Sequence, residues 1–280
     1  MISGGYKIRT IEWGDFKLDG GAMFGVIPKT LWSQKIPADE QNMIKMKARG
    51  LFLDGNGKKI LIDLGTGSKD DENFKKRFAV KNVKSPAQAL KPFGTSPEEI
   101  TDVIITHLHF DHCGGSTIII DNKIIPSFKN AKYHIQKNQW ESAVSGKSRD
   151  SASFLDQNFI PLFEKNNIVF TDGEKNPGLK NISLKITSGH TSFQQHPLIE
   201  DKINPVFYCA DIFPTSAHIS PKWVMAYDNH AEKSVEEKKQ LLEKAAKENW
   251  IMVFEHDPFI AACRIVKKGK NFEIAEILDF

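Results

Sequence analysis

The sequence predicts a mixed α+β fold in which two mixed β-sheets are flanked by helices. Three observations lead there. Strand-like segments come in clusters instead of alternating one for one with helices, as a doubly wound parallel sheet would require. The clearest amphipathic helix, Glu232 to Glu248, arrives late and stands between short buried strands. Ligand-type side chains recur at the ends of apolar strand segments, as happens when several strands open onto one cleft.

The elements follow in order. Tyr6 to Trp13 alternates apolar and polar residues and reads as a half-buried strand, with Asp19-Gly20-Gly21 as a turn. Ala48 to Leu53 and Lys59 to Asp63 form a hairpin around Asp54-Gly55-Asn56-Gly57. Asp71 to about Phe93 is helical with breaks, one at Pro86, and Ser96-Pro97-Glu98-Glu99 has the capping serine, early proline and acidic first turn of a helix start. Asp102 to Thr106 is a buried strand. Gln136 to Ser145 and Ser151 to Lys165 read as helices, with a short strand at Lys132 to Ile135. Ile182 to Thr187, Val206 to Ala210, Trp250 to Phe254, Ala261 to Val266 and Phe272 to Leu278 are strands. No repeat or linker divides residues 1–280, so one domain is expected.

Charge and composition exclude several classes. The 38 basic and 35 acidic side chains nearly cancel, and the lysines are interleaved with acids, so no basic face for nucleic acid is expected. No apolar run has the length of a membrane span or a signal peptide, and the three cysteines are too few for a disulfide framework. A cytoplasmic protein without membrane or nucleic-acid partners is the expectation.

The chemistry concentrates in Thr106-His107-Leu108-His109-Phe110-Asp111-His112. His107 and His109 are two apart, so in an extended segment both imidazoles share a face and reach one metal. Asp111 and His112 lie past the strand end, where Gly114-Gly115 turns the chain, and can serve a second. Imidazole and carboxylate are the donors zinc accepts. One loop cannot complete two sites. His190, Asp211 and His256 each follow an apolar strand and are the expected remaining ligands.

HLHFDH followed by Gly189-His190, Asp211 and His256 in this order resembles the metallo-β-lactamase superfamily signature. The resemblance implies an αββα sandwich with the metals at one edge. His107, His109 and His190 would hold the first metal, Asp111, His112 and His256 the second, and Asp211 would bridge them. Two zinc ions per chain are implied, with iron, cobalt or manganese as alternatives. More narrowly, DGGAMFGVIPK (Asp19–Lys29), ADIFPTSAH (Ala210–His218) and WVMAYD (Trp223–Asp228) resemble the quorum-quenching lactonase branch. That implies opening of the lactone ring of N-acyl homoserine lactones by a hydroxide bridging the metals, with Asp111 as proton shuttle. An organophosphate triesterase, arylesterase or thioester hydrolase would use the same centre. Relatives are often dimers, so a homodimer is implied too.

One departure stands out. The lactonase relatives place a substrate-contacting tyrosine three positions after the bridging aspartate, where this chain has Pro214; Tyr227 or His218 is left to take that part. Met23, Phe24, Phe110 and Phe213, with Trp32, Trp223 and Met225, are the candidates to line an apolar pocket for an ester or lactone. His134 is read as structural, His196 as a weaker substitute for His190, and His230 as a surface residue or a neighbour of the ligands. Cys113 and Cys209 are packing residues. Asp63 is either a strand cap or a residue that orients metal ligands.

Overall fold

The computed structural model describes residues 1–69 and 71–280. Its two large sheets each keep chain order. The first runs Ile2–Ser3, Tyr6–Asp19, Met43–Gly55, Lys58–Ile62, Asp102–Ile104, Lys132–Gln136 and Ile168–Thr171. The second runs Ile182–Thr187, Gln194–Ile199, Val206–Tyr208, Ile251–Val253, Ala262–Lys268 and Asn271–Leu278. Lys58–Ile62 through Ile168–Thr171 pair in parallel, as do Val206–Tyr208 and Ile251–Val253; the other neighbours are antiparallel.

Strand alternation builds three cores from the same strands. Leu51, Leu53, Ile60, Ile62 and Ile104 of the first sheet meet Val206, Tyr208, Ile251 and Val253 of the second. Their neighbours Phe52, Leu61 and Val103 face the other way, onto Leu90, Phe128 and Leu162. Phe207 and Met252 face outward beneath Leu241, Leu242 and Ala245 of the helix Ala231–Lys247. Three apolar interfaces separate four layers, the order expected for two sheets between helices. Full burial of a residue such as Leu242 contributes about 1.5–3 kcal/mol, so the late helix is held by its apolar stripe.

The structure departs from the sequence reading in places. Asp19 begins a short helix, Gly20–Phe24, by accepting a hydrogen bond from the Ala22 N–H at 2.8 Å, where a turn was expected. Pro86 opens a helix, Pro86–Leu90, with Ser85 and Gln88 as a capping box. The expected helix over 151–165 is two short 3₁₀ turns followed by Ile160–Glu164. His109 bridges to Phe154 there, and that pairing holds the chain extended. The strand Gln194–Ile199 escapes a pattern reading because Gln194, Gln195 and His196 are polar yet buried, and Pro197 interrupts them. Pro197 is tolerated because pairing to Val206–Tyr208 begins only at Leu198. Ile168–Thr171 and the hairpin Thr117–Ile120/Lys123–Pro126 were also not anticipated. No helix among the described residues is long and apolar enough to cross a membrane. The three cysteines are buried and unbridged.

Candidate metal centre

Two strand exits beside the candidate ligands leave through unusual backbone. Asp63, after Lys58–Ile62, has φ +50°, and Ala210, immediately before Asp211, has φ +40°. Non-glycine residues rarely adopt such values, and they persist where surrounding bonds hold them. At Asp63 those bonds are visible. Its carboxylate accepts from the Thr106 N–H at 2.8 Å and the Thr106 hydroxyl at 2.6 Å, and it lies 3.1 Å from His112 Nδ1. Asp63 thus both ends its strand and steers the loop that carries His107, His109 and His112. Gln195 ties the second sheet to the same exit: its N–H donates to the Thr106 carbonyl and its side chain to the carbonyls of Ile105 and His134.

His107, His109 and His190 converge. His109 Nδ1 lies 3.0 Å from His107 Nε2 and 3.2 Å from His190 Nε2, and Asp211 Oδ2 is 3.3 Å from His190 Nε2. The outer ring nitrogens are committed elsewhere. His109 Nε2 faces Asp150 Oδ2 at 3.0 Å, and His190 Nδ1 faces Asp228 Oδ1 at 3.0 Å. His107 Nδ1 faces the Thr106 hydroxyl at 3.1 Å, which donates its own proton to Asp63. Glu237 fixes the turn before His190 by accepting from the N–H groups of Ser188 and Gly189.

Asp111, His112 and His256 make a second group. His112 Nε2 and His256 Nε2 are 3.2 Å apart, and Asp211 Oδ1 lies 3.4 and 3.1 Å from them. Asp111 is 3.9 Å from His112 and 3.7 Å from His256. The outer nitrogens are again taken: His256 Nδ1 donates to the Lys47 carbonyl at 2.7 Å, and His112 Nδ1 faces Glu255 at 2.8 Å and Asp63 at 3.1 Å.

The outer nitrogens of His109, His190, His112 and His256 each face an acceptor, and that of His107 lies between the Thr106 hydroxyl and the Gln194 amide, so neutral imidazoles turn their lone pairs inward, toward one another, at four of the five rings. Lone pairs at these separations repel unless a cation lies among them. Tetrahedral zinc, with nitrogens at about 2.0–2.1 Å, spaces its ligands by about 3.4 Å, close to what is seen. Asp211 supplies one oxygen to each group, and its buried Oδ1 has no hydrogen-bond donor. The donor set therefore fits divalent cations in both groups.

The field differs between them. Burial lowers His107 well below its usual range, helped by His112 and His109; it also lowers His109, against the pull of Asp150. Burial also works to lower His112 and His256, but Glu255 and Asp211 outweigh it, raising His112 strongly and His256 to about 9. Burial lifts the Glu255 carboxyl to about 8 despite the neighbouring His112. A field that favours a proton on His112 and His256 also favours a divalent cation.

A cavity of about 230 Å³ opens on the cluster. Met23, Phe110, Met225 and Tyr227, all named from the sequence, line it, together with Leu18 and Phe78. Phe24, Phe213 and His218 do not, which corrects their assignment to the pocket. Phe24 is fully buried, stacked between Trp32 and His218. His218 spends both ring nitrogens on Thr215 and the Met23 carbonyl. Phe213 lies beneath Lys238 in the outer core. His134 pairs with Asp102 at 2.8 Å, and His196 bonds Thr187, both away from the cluster. Asp150, Asp228, Glu255 and Arg149 were not singled out beforehand. Asp150 and Arg149 sit in a polar loop that looks like a solvated surface, and Asp228 and Glu255 act on histidines through contacts that no spacing encodes.

Comparison with known proteins follows the same lines. A family model described as the metallo-beta-lactamase superfamily matches residues 51–256. An N-acyl homoserine lactonase of Bacillus sp is 32% identical over 170 residues, and one of Bacillus cereus is 30% identical over the same length. Each match covers 60% of this chain and 60% of the relative. The structure of a probable metal-dependent hydrolase from Staphylococcus aureus superposes with a TM-score of 0.91 at 27% identity, covering 100% of this chain and 99% of that one. A dizinc quorum-quenching lactonase in complex with its product superposes with a TM-score of 0.79 at 19% identity, covering 100% and 96%, which speaks to the fold.

Proposed function

The chain belongs to the metallo-β-lactamase superfamily, and from that premise we propose a hydrolase that opens the lactone ring of N-acyl homoserine lactones on two metal ions, zinc being the best fit. His107, His109 and His190 would hold one ion, Asp111, His112 and His256 the other, and Asp211 both. The observation that carries this reading is the inward convergence of five imidazoles whose outer nitrogens are all engaged. Bound ions would supply a water ionised near neutral pH and a Lewis acid for the ester carbonyl.

The chain's own residues do the rest. Asp111 lines the cavity beside the second group and has the position to take a proton from the attacking water and return it to the leaving alkoxide. Met23, Phe110 and Met225 give the acyl chain an apolar wall. Tyr227, its phenol raised to about 12 by burial and by nearby Asp19 and Asp111, stays protonated as a donor to a substrate oxygen. The cavity volume suits a small ester.

Ring opening of short- and long-chain N-acyl homoserine lactones by zinc-loaded protein tests the reading, with Asp111→Asn as control. Turnover that the variant loses supports it. No lactone turnover with the metals bound would overturn the lactonase assignment and direct the search to phosphotriesters, aryl esters and thioesters.

A further inference from the structure

Arg149 brings the only lysine or arginine side chain among the described residues of the cavity wall. It is exposed at the rim, and no carboxylate of the described residues lies within ion-pair distance of it. Two backbone carbonyls hold the fork: Arg149 donates to Asp228 O at 2.9 Å and to Ala226 O at 2.7 Å. Those carbonyls belong to the segment that gives Met225, Tyr227 and Asn229 to the wall. The next residue, Asp150, is tied to His109 at 3.0 Å and Thr191 at 2.6 Å. The guanidinium is thus fixed from both sides, one residue along the chain from a contact to the three-histidine group. A guanidinium has five N–H donors, and these two bonds leave others for a ligand.

We propose that Arg149 is a specificity-determining residue that binds an oxygen acceptor of the substrate lying beyond the ester under attack. This rests on the hydrolase reading above and names the kind of substrate that site takes. Leu18, Met23, Phe78, Phe110 and Met225 give the wall its apolar part, so a substrate with only a hydrocarbon tail leaves the remaining N–H groups of Arg149 unused. One whose tail begins with an amide carbonyl, or that carries a carboxylate, gains a charge-assisted hydrogen bond. Losing such a bond is expected to lower kcat/KM by about 10-fold or more.

The test compares wild type with R149M and R149K on three lactones: an N-acyl homoserine lactone, a γ-lactone bearing a carboxylate, and a plain alkyl γ-lactone. The proposal expects R149M to lose at least tenfold more kcat/KM on one of the first two than on the alkyl lactone, with R149K between. The lactone that loses more identifies the acceptor as neutral amide or anion. Equal losses on all three would overturn the proposal, leaving Arg149 as a brace for the 225–229 segment, and a lowered melting temperature would accompany that result. No loss on any lactone would overturn it as well. Wild-type turnover separately tests the hydrolase reading. Were turnover absent, calorimetric binding of the ring-opened N-acyl homoserine to wild type and R149M still decides the matter: a Kd at least tenfold weaker in the variant supports the contact, and equal Kd values refute it.

Discussion

The two ligand groups share Asp211 and lie side by side, yet they are built differently. In the group of His107, His109 and His190, Asp211 is the one carboxylate on the inner face, beside His190, while Asp150 and Asp228 sit behind the rings, on the outer nitrogens. In the group of Asp111, His112 and His256, carboxylates stand on both sides: Asp111 and Asp211 on the inner face, Glu255 and Asp63 behind His112. In the first group burial makes His107 and His109 hard to protonate, while Asp211 and Asp228 raise His190 against burial. The second is a negative pocket whose histidines are easy to protonate. Ligand count alone would make the sites alike; the surrounding carboxylates make them unlike, and a cation should feel the difference.

The most severe way to break the comparison is to remove what the groups share. Asp211→Ala should abolish cation binding in at least one group and lower hydrolysis by more than about 100-fold, the upper end for losing a supporting contact alone. Metal content per chain by mass spectrometry, read beside the rate, checks it; an unchanged metal content would show that Asp211 is not shared.

The supporting carboxylates give a graded version. Glu255→Gln should weaken cation binding in the second group and Asp150→Asn in the first, each by about 10- to 100-fold. Competition with a chelator would show which of two binding phases each variant moves. If both variants moved the same phase, the division of the centre would fail.

The comparison also has a pH signature. His112 and His256 are raised, His256 to about 9, and a histidine must shed its proton before it can ligate. Cation affinity of the second group should therefore climb with pH up to about 9, with proton release on binding. The His107 and His109 nitrogens are already unprotonated at neutral pH, so their contribution should stay flat there. Affinity measured from pH 6 to 9 distinguishes the two behaviours.

The smallest effect is expected at a third buried imidazole–carboxylate pair that faces no other ligand. Burial works to raise Asp102, but hydrogen bonds from His134 and Lys58 bring it from 3.8 down to about 2. Its stabilisation is present above pH 3.8 and is lost as pH falls toward 2. Asp102→Asn should cost about 2 kcal/mol near neutral pH and flatten the acid limb of an unfolding curve, leaving metal content alone.

What could be read from the residues follows the same division. The strands Asp102–Ile104, Ile182–Thr187, Val206–Tyr208 and Ile251–Val253 announce themselves by apolar runs, as the helix Ala231–Lys247 does by its spacing, and the seven ligand-type residues sit where those strands end. Contacts between distant side chains leave no such trace. Glu255 reaches His112 across 143 positions of chain, and Asp228 reaches His190 across 38. Phe24, Phe213 and His218 looked like pocket residues because they neighbour the right segments, but packing turned them into the core. Gln194–Ile199 is a strand whose buried Gln195 is satisfied by carbonyls of the other sheet, a condition only the assembled fold reveals.

The most direct test of the account is a calorimetric titration of metal-free protein with zinc at neutral pH. The account predicts two ions per chain in two phases, with the larger proton release in the phase that Glu255→Gln weakens. A single ion per chain, or two identical phases with equal proton release, would contradict it.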